Sequence, residues 1–187
     1  MTLDKRTTIQ FCGFGGQGIV LSSIVFGSAS VIGAGLYAVQ TQSYGSEARG
    51  GECQAELILS GEQIGSPIAD EIDILVAMSQ LAYNRYSKRL RPGGILLLDP
   101  DMVDEGDPTG IKVFRISATS IAEELGSKIS ANMVMLGFLQ SITGIVSKMD
   151  LLNAIRSNVN PKFRELNNLA VQQGISWAEE NYSAIRV

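Results

Sequence analysis

The sequence predicts an α/β fold with a doubly wound, mostly parallel, Rossmann-like sheet. Short apolar runs alternate with helical segments along the chain, and this alternation is typical of strands joined by crossover helices. The largely apolar run Ile72–Ala77 has the composition of a central parallel strand, which is buried on both faces. At 187 residues and 20.0 kDa, the chain is expected to form one domain over residues 1–187.

Each predicted strand is a short apolar or alternating run that begins or ends at a turn. The strands cover Ile9–Cys12, Leu36–Gln40, Gln54–Leu59, Ile72–Ala77, Ile95–Leu98 and Lys112–Ile116. The predicted helices cover about Gly18–Ile32, Gln80–Leu90, Ala118–Leu125, Ala131–Thr143, Lys148–Ser157 and Pro161–Gln173. Gly33-Ala34-Gly35 is expected to end the first helix, and Pro92-Gly93-Gly94 the second.

Three features of the composition restrict the function: a net charge of −4, no histidine, and two cysteines. An acidic chain does not attract nucleic acid, so no nucleic-acid partner is expected. Without histidine, histidine-ligated metal sites and histidine-dependent catalysis are excluded. Cys12 and Cys53 are too few to ligate an iron–sulfur cluster, and they fit reduced, buried thiols in the cytoplasm. We therefore expect no catalytic and no metal-ligating residue, and a subunit or binding module rather than a complete enzyme.

No charged residue occurs from Thr7 to Ser46. A membrane span over Gly18–Val39 is therefore one interpretation. Four serines and the interruption by Gly33 and Gly35 favour the other interpretation, a buried strand–turn–helix–turn–strand unit in a larger sheet. We therefore expect no membrane association.

A glycine-rich turn, Gly13-Phe14-Gly15-Gly16-Gln17-Gly18, follows the first predicted strand and opens the first helix. This is the context of a dinucleotide-binding turn, in which backbone N–H groups at a positive helix end face a phosphate. The ribose-binding acid expected about twenty residues later is missing, so we expect no useful affinity for NAD. Helix–sheet packing, the phosphate of another ligand and a subunit contact remain as roles for Gly13, Gly15, Gly16, Gln17 and Gly18.

The second candidate motif is Tyr44-Gly45-Ser46-Glu47-Ala48-Arg49-Gly50-Gly51. Arg49 offers a rigid fork of donors for a carboxylate or phosphate, and Gly50 and Gly51 let another group approach the backbone. Its alternative role is an ion pair with Glu47 or Glu52 on a surface loop. Tyr44 is either a stacking or interface residue or a loop anchor. Ligands of open α/β sheets bind at the carboxyl ends of strands, where this loop is predicted.

A third segment, Ser130-Ala131-Asn132-Met133-Val134-Met135, has the pattern of a helix start. Ser130 is predicted to cap the helix, and the two methionines are expected in the core. Asn132 either caps the backbone or points toward the glycine-rich turn.

Taken together, these motifs resemble the gamma subunit of the 2-oxoacid:ferredoxin oxidoreductases in order and spacing. The resemblance rests on the Gly-Gly-Gln-Gly element, the Tyr-Gly-x-Glu-x-Arg-Gly-Gly element, Pro92-Gly93-Gly94, Asn132 with Leu136-Gly137, and Asn167. Thr41-Gln42-Ser43-Tyr44 with Glu47-Ala48-Arg49 looks most like the 2-oxoglutarate enzymes. Pyruvate and branched-chain 2-oxoacid enzymes have similar residues, so both remain alternatives.

The resemblance implies a subunit of an enzyme that decarboxylates a 2-oxoacid on thiamine diphosphate, reduces ferredoxin through iron–sulfur clusters and forms acyl-coenzyme A. Alpha and beta subunits, with a ferredoxin-like delta subunit in some complexes, would then hold the thiamine diphosphate and the clusters. This chain would hold no cofactor alone, would share in the coenzyme A surface and would be inactive by itself. A free-standing nucleotide-binding regulatory protein is the competing hypothesis from another class. A complete NAD-dependent reductase is disfavoured, since the chain lacks a Tyr-x-x-x-Lys pair.

Overall fold

The computed structural model describes residues 6–44 and 51–182. Its six strands are β1 Thr7–Phe14, β2 Tyr37–Tyr44, β3 Glu52–Ser60, β4 Ile72–Ala77, β5 Leu90–Leu98 and β6 Lys112–Arg115. They form one sheet in the order β2-β3-β1-β4-β5-β6. The pairs β1–β4, β4–β5 and β5–β6 are parallel, whereas β3 is antiparallel to both of its neighbours, β1 and β2.

Six α-helices pack on this sheet. They are α1 Ile19–Ser28, α2 Gln80–Tyr86, α3 Ala118–Glu124, α4 Ala131–Thr143, α5 Lys148–Asn158 and α6 Arg164–Tyr182. A π-helical turn, Ala29–Gly33, continues α1, and short 3₁₀ turns follow α2 and precede α4 and α6. Within the described ranges, no helix combines the length and the apolar character that a membrane crossing requires.

The predicted α/β class with a mostly parallel sheet is confirmed, but the strand order adds a feature that the sequence pattern does not contain. β1 and β2 run in the same direction, yet β3 lies between them and pairs with both. The β1–α1–β2 segment is therefore not a crossover between adjacent strands. The β2–β3 hairpin instead forms one end of the sheet and leaves β2 as an edge strand.

Alternate residues of β1 face two separate parts of the core. Ile9 and Phe11 join the larger cluster, which contains side chains from α1, α3, α4, α5 and α6. Cys12 faces the smaller cluster under α2, with Tyr86. Helices therefore lie on both faces of the sheet, and most of the buried apolar surface is on the α1 side.

Two helix-terminating predictions were wrong in detail. Pro92-Gly93-Gly94 does not end the second helix, because α2 stops at Tyr86 and this tripeptide lies inside β5. There it forms a bulge in β5, because the residue paired with Ile72 is Leu90 and the residue paired with Ile74 is Ile95. Gly93, inside this bulge, has a φ of +73°, a conformation that favours glycine.

The last helix extends to Tyr182, well beyond the predicted end at Gln173. Gly174 does not interrupt it because it lies where α6 crosses α4. A Cβ atom on Gly174 would be 1.9 Å from the carbonyl oxygen of Val134, and one on Gly137 would be 2.0 Å from that of Val171. The two glycines therefore allow the backbones of α4 and α6 to touch.

Candidate functional site

The glycine-rich turn connects the carboxyl end of β1 to α1, as predicted. Gln17 holds its shape: its side-chain Oε1 accepts a hydrogen bond from the Phe14 N–H at 2.6 Å, and its Nε2 donates to the Met78 carbonyl at 2.9 Å. Met78 follows β4, the parallel neighbour of β1. The Gln17 side chain therefore ties the ends of two adjacent strands together, and both of its polar ends are satisfied inside the chain.

Gly13 and Gly18 face inward. A Cβ atom on Gly13 would lie 2.4 Å from Oε1 of Gln17, and one on Gly18 would lie 2.3 Å from Nδ2 of Asn132. Gly18 also has a φ of +73°. The Asn132 amide donates to the Gly18 carbonyl at 3.2 Å, so Asn132 points toward the turn, one of its two predicted roles. These two glycines are required for packing between β1, α1 and α4.

Gly15 and Gly16 form the outer, exposed part of the same turn. Gly16 has a φ of +99°, and no atom of the residues that the structure describes lies within 4 Å of the position of an added Cβ. Its N–H has no hydrogen-bond partner among the described residues. The first N–H groups of α1 lie next to it, and such groups lack partners within their own helix. Within the described part of the chain, the backbone at the outer part of the turn is thus exposed.

The second motif meets the first through the backbone. Gly51 immediately precedes β3, and its carbonyl accepts a hydrogen bond from the N–H of Gly15 at 2.8 Å. The β1–β3 register continues this contact through the Phe14↔Glu52 pair. Tyr44 is the last residue of β2. Arg49 and Gly50 lie outside the described residues, so their predicted roles stay predictions.

Glu52 has partners that the sequence did not indicate. Its carboxylate accepts hydrogen bonds from the Arg85 guanidinium at 2.8 Å and from the Tyr86 hydroxyl. Burial, and then the hydrogen bond to Glu52, raises the pKa of Tyr86 above its ordinary value, so the phenol stays a proton donor. Arg85 compensates the negative charge of Glu52, and its own side chain remains 66% exposed. The guanidinium of Arg85, which belongs to α2, therefore lies near the two glycine motifs. The sequence pattern did not indicate a functional role for this helix.

Both thiols are buried, as predicted, and they lie on opposite faces of the sheet. Burial raises the pKa of Cys12 and that of Cys53, so both are protonated and unreactive at neutral pH. Among the described residues, no group of three or more Cys, Asp or Glu side chains could hold a metal ion.

Two further predictions concerned the start of α4. Met133 and Met135 are core residues with 1% exposure each, as expected. Ser130 occupies the predicted N-cap position of α4, but its side chain makes no capping hydrogen bond, because it ends a 3₁₀ turn that leads directly into α4. The continuous turn removes the extended N-cap conformation that such a bond needs.

A cavity of about 740 Å³ lies among the ends of α4, α5 and α6. Gln140, Lys148 and Glu179 are among its lining residues. None of the residues that line it belongs to the two glycine motifs. The cavity and the predicted site are therefore separate features.

Most of the chain matches a known protein family. The model of the pyruvate ferredoxin/flavodoxin oxidoreductase family matches residues 8–177. The chain belongs to this family. The match includes the glycine-rich turn, the β2–β3 hairpin and most of α6.

Two relatives show which type of subunit in this family the chain resembles. It is 48% identical over 176 residues to the 2-oxoglutarate synthase subunit KorC of Methanothermobacter marburgensis, covering 90% of this chain and 95% of that protein. A crystal structure of a keto/oxoacid ferredoxin oxidoreductase gamma subunit from Geobacter sulfurreducens is 38% identical, with a TM-score of 0.82 over 93% of this chain and 99% of that one. The chain is thus a gamma-type subunit, as the resemblance implied.

A third relative has a different organisation. The 2-oxoglutarate:ferredoxin oxidoreductase of Magnetococcus marinus, whose structure contains 2-oxoglutarate, coenzyme A and succinyl-CoA, is 26% identical with a TM-score of 0.87. The match covers 97% of this chain but 32% of that chain. In that enzyme the gamma-type domain is therefore one part of a much longer polypeptide.

Proposed function

We propose that this chain is the gamma subunit of a 2-oxoglutarate:ferredoxin oxidoreductase. The complete enzyme would oxidatively decarboxylate 2-oxoglutarate, pass the electrons to ferredoxin and transfer the acyl group to coenzyme A. The observation that carries the proposal is the 48% identity to a 2-oxoglutarate synthase subunit over almost the full length of both proteins.

The residues of this chain support an enzyme in which other subunits hold the cofactors. It contains no histidine, and its two cysteines are buried on opposite faces of the sheet, where they cannot converge on one cluster. We therefore assign thiamine diphosphate and the iron–sulfur clusters to alpha and beta subunits, with a ferredoxin-like delta subunit as a further partner. We place the complex in the cytoplasm, where reduced thiols are the rule.

The residues of the two glycine motifs fit a share in coenzyme A binding. Gly15 and Gly16 are exposed at the amino end of α1, where backbone N–H groups favour a phosphate. Gly51 is hydrogen-bonded to this turn, and Arg49 lies two residues before Gly51 in the sequence. Gly13, Gln17 and Gly18 would shape the turn from inside rather than contact the ligand. Tyr44 and Gly50 would belong to the same surface.

NAD fits this arrangement poorly. In a dinucleotide-binding unit, the ribose-binding acid stands at the carboxyl end of the parallel strand next to β1. Here the neighbour of β1 on that side is the antiparallel β3, and the carboxylate of Glu52 is held by Arg85 and Tyr86. We therefore infer that the turn does not bind NAD.

The test is purification of the chain with the subunits that accompany it in the native cell, followed by an oxoacid-dependent viologen reduction assay with coenzyme A. We expect larger subunits to co-purify with iron–sulfur absorbance, 2-oxoglutarate to be the preferred substrate, and the chain alone to be inactive. Preference for pyruvate or a branched-chain 2-oxoacid would refute the substrate assignment. Purification without partners would refute the subunit role.

Arg49→Ala tests the coenzyme A surface. Loss of a charge-assisted hydrogen bond weakens binding by roughly 1.5–3 kcal/mol, so the Michaelis constant for coenzyme A should rise by about tenfold to a hundredfold. Arg156→Ala is the matched control, since Arg156 is exposed on α5. An unchanged coenzyme A requirement with normal assembly would remove Arg49 from the site, and loss of co-purifying subunits would make it an interface residue instead.

A further inference from the structure

The described surface contains one region where exposed apolar side chains and missing charge coincide. Of ten large hydrophobic residues that are exposed in the described part of the chain, four lie between residues 24 and 37. They are Ile24 (42% exposed), Val31 (45%), Ile32 (79%) and Tyr37 (52%). A soluble monomer scatters such residues singly, so a concentration in one short segment marks an interaction surface.

The same segment belongs to the longest uncharged stretch of the sequence. No Asp, Glu, Lys or Arg occurs from Thr7 to Ser46, although the whole chain has 34 such residues, 15 basic and 19 acidic. The five ion pairs among the described residues join side chains of other segments, all between Glu52 and Lys128. The carboxyl group of Asp150, beside Gly33, borders the region at one end.

An unprotected strand edge extends this surface. β2 is the last strand on its side of the sheet, and its residues Thr41, Gln42 and Ser43 are exposed. Edge strands of soluble proteins are normally protected by charged residues, proline or a bulge. β2 has no charge and no proline, and its pairing with β3 is regular over all eight residues. Among the described residues no strand pairs with its outer edge, so the backbone groups on that edge are available for another chain.

From these observations we infer that the outer side of α1 and its π-helical turn, together with the edge of β2, is the surface on which the chain docks against a larger subunit of the same enzyme. We call it the uncharged face, and we define it by Ile24, Val31, Ile32, Tyr37 and Gln42. This inference rests on the proposed function.

The chemistry of the uncharged face defines its partner. A surface without charge forms no ion pairs with a charged partner. Binding would remove water from the charged groups of that partner without replacing it by an opposite charge, which costs free energy. It is complementary to an uncharged, largely aliphatic surface that also offers backbone groups to the β2 edge. The organisation of the Magnetococcus marinus enzyme points to a larger subunit as the occupant, since there the matched domain accounts for 32% of its chain and belongs to the same polypeptide as the remainder.

Ile32→Glu is the decisive variant, and Ile129→Glu is its matched control. Ile129 is 73% exposed, close to the 79% of Ile32, but it lies in the 3₁₀ turn before α4, outside the uncharged stretch. Gln42→Lys tests the strand edge independently by adding the charge that blocks edge pairing. All three positions are exposed, so the purified chains should melt close to the wild type.

The measurement is co-purification of the other subunits from the native complex, with dissociation constants by titration of the purified chain. We expect Ile32→Glu and Gln42→Lys to weaken association by at least about tenfold, as loss of a central interface contact does, and Ile129→Glu to assemble normally. Normal assembly of both test variants, or an equal defect in the control, would overturn the inference.

Two further outcomes separate this inference from the proposed function. If the wild-type chain itself captures no other subunit, the proposed function fails first. If the wild-type chain forms a dimer that Ile32→Glu converts to a monomer, while both bind the larger subunits equally, the uncharged face is a contact between two copies of this chain and the assigned partner is wrong.

Discussion

Replacing Gly18 with alanine should destabilise the chain through two separate effects. Gly18 has a φ of +73°, and a residue with a Cβ atom pays about 1–2 kcal/mol in this left-handed conformation. The new Cβ would also lie 2.3 Å from Nδ2 of Asn132. Asn132 must therefore move, and its hydrogen bond to the Gly18 carbonyl, worth about 1 kcal/mol, would be lost.

The sum is roughly 2–3 kcal/mol in the free energy of unfolding. For a chain of this size, each 1 kcal/mol lowers the melting temperature by about 2–4 °C, so Gly18→Ala should melt roughly 4–12 °C below the wild type. Urea unfolding followed by far-ultraviolet circular dichroism measures the free energy directly. Gly65→Ala is the control, because Gly65 has no neighbouring atom within 4 Å of an added Cβ and no positive φ.

A double-mutant cycle separates the two effects. In an Asn132→Ala background only the Cβ of residue 132 remains, at an ordinary contact distance of 3.8 Å. Gly18→Ala should then cost only the conformational part, about 1–2 kcal/mol, and the coupling between the two sites should be about 1 kcal/mol. Equal effects of Gly18→Ala in both backgrounds would refute the close approach of α4 to the glycine-rich turn.

Four other predictions concern the remaining features. Gly174→Ala should lower the free energy of unfolding by about 2–3 kcal/mol, because the added methyl overlaps the backbone carbonyl of α4; a loss no larger than that of Gly65→Ala would contradict the helix crossing. Glu52→Ala should lower the free energy of unfolding by roughly 1–2 kcal/mol, because it leaves the hydroxyl group of Tyr86 without an acceptor. An unchanged midpoint of urea unfolding at neutral pH would contradict this contact. Cys12 and Cys53 should react with a thiol reagent only in denaturant. Since the pKa of Cys12 is raised in the folded state, the unfolded chain releases its thiol proton first, and stability should fall as the pH rises above 9.0; a pH-independent midpoint there would contradict the burial.

The sequence was sufficient for features that depend on neighbouring residues. The strand β4 and the helix α4 have the bounds that were predicted, because short, largely apolar runs and helical spacing are local signals. The glycine-rich turn was also placed correctly between β1 and α1, since glycine spacing directly after an apolar run is itself the signal for such a turn. The family resemblance, which rests on the same short motifs, is confirmed by the match over residues 8–177.

Only the tertiary structure decided how distant segments meet. The antiparallel insertion of β3 between β1 and β2 depends on strand pairing, which periodicity does not encode. Arg85 reaches Glu52 across 33 positions, and Asn132 reaches Gly18 across 114. Such contacts follow from the packing of complete elements, so a residue type and its spacing cannot reveal them. For the same reason, the sequence shows that residues 7–46 lack charge, whereas the fold determines that part of this stretch forms an exposed face rather than the core.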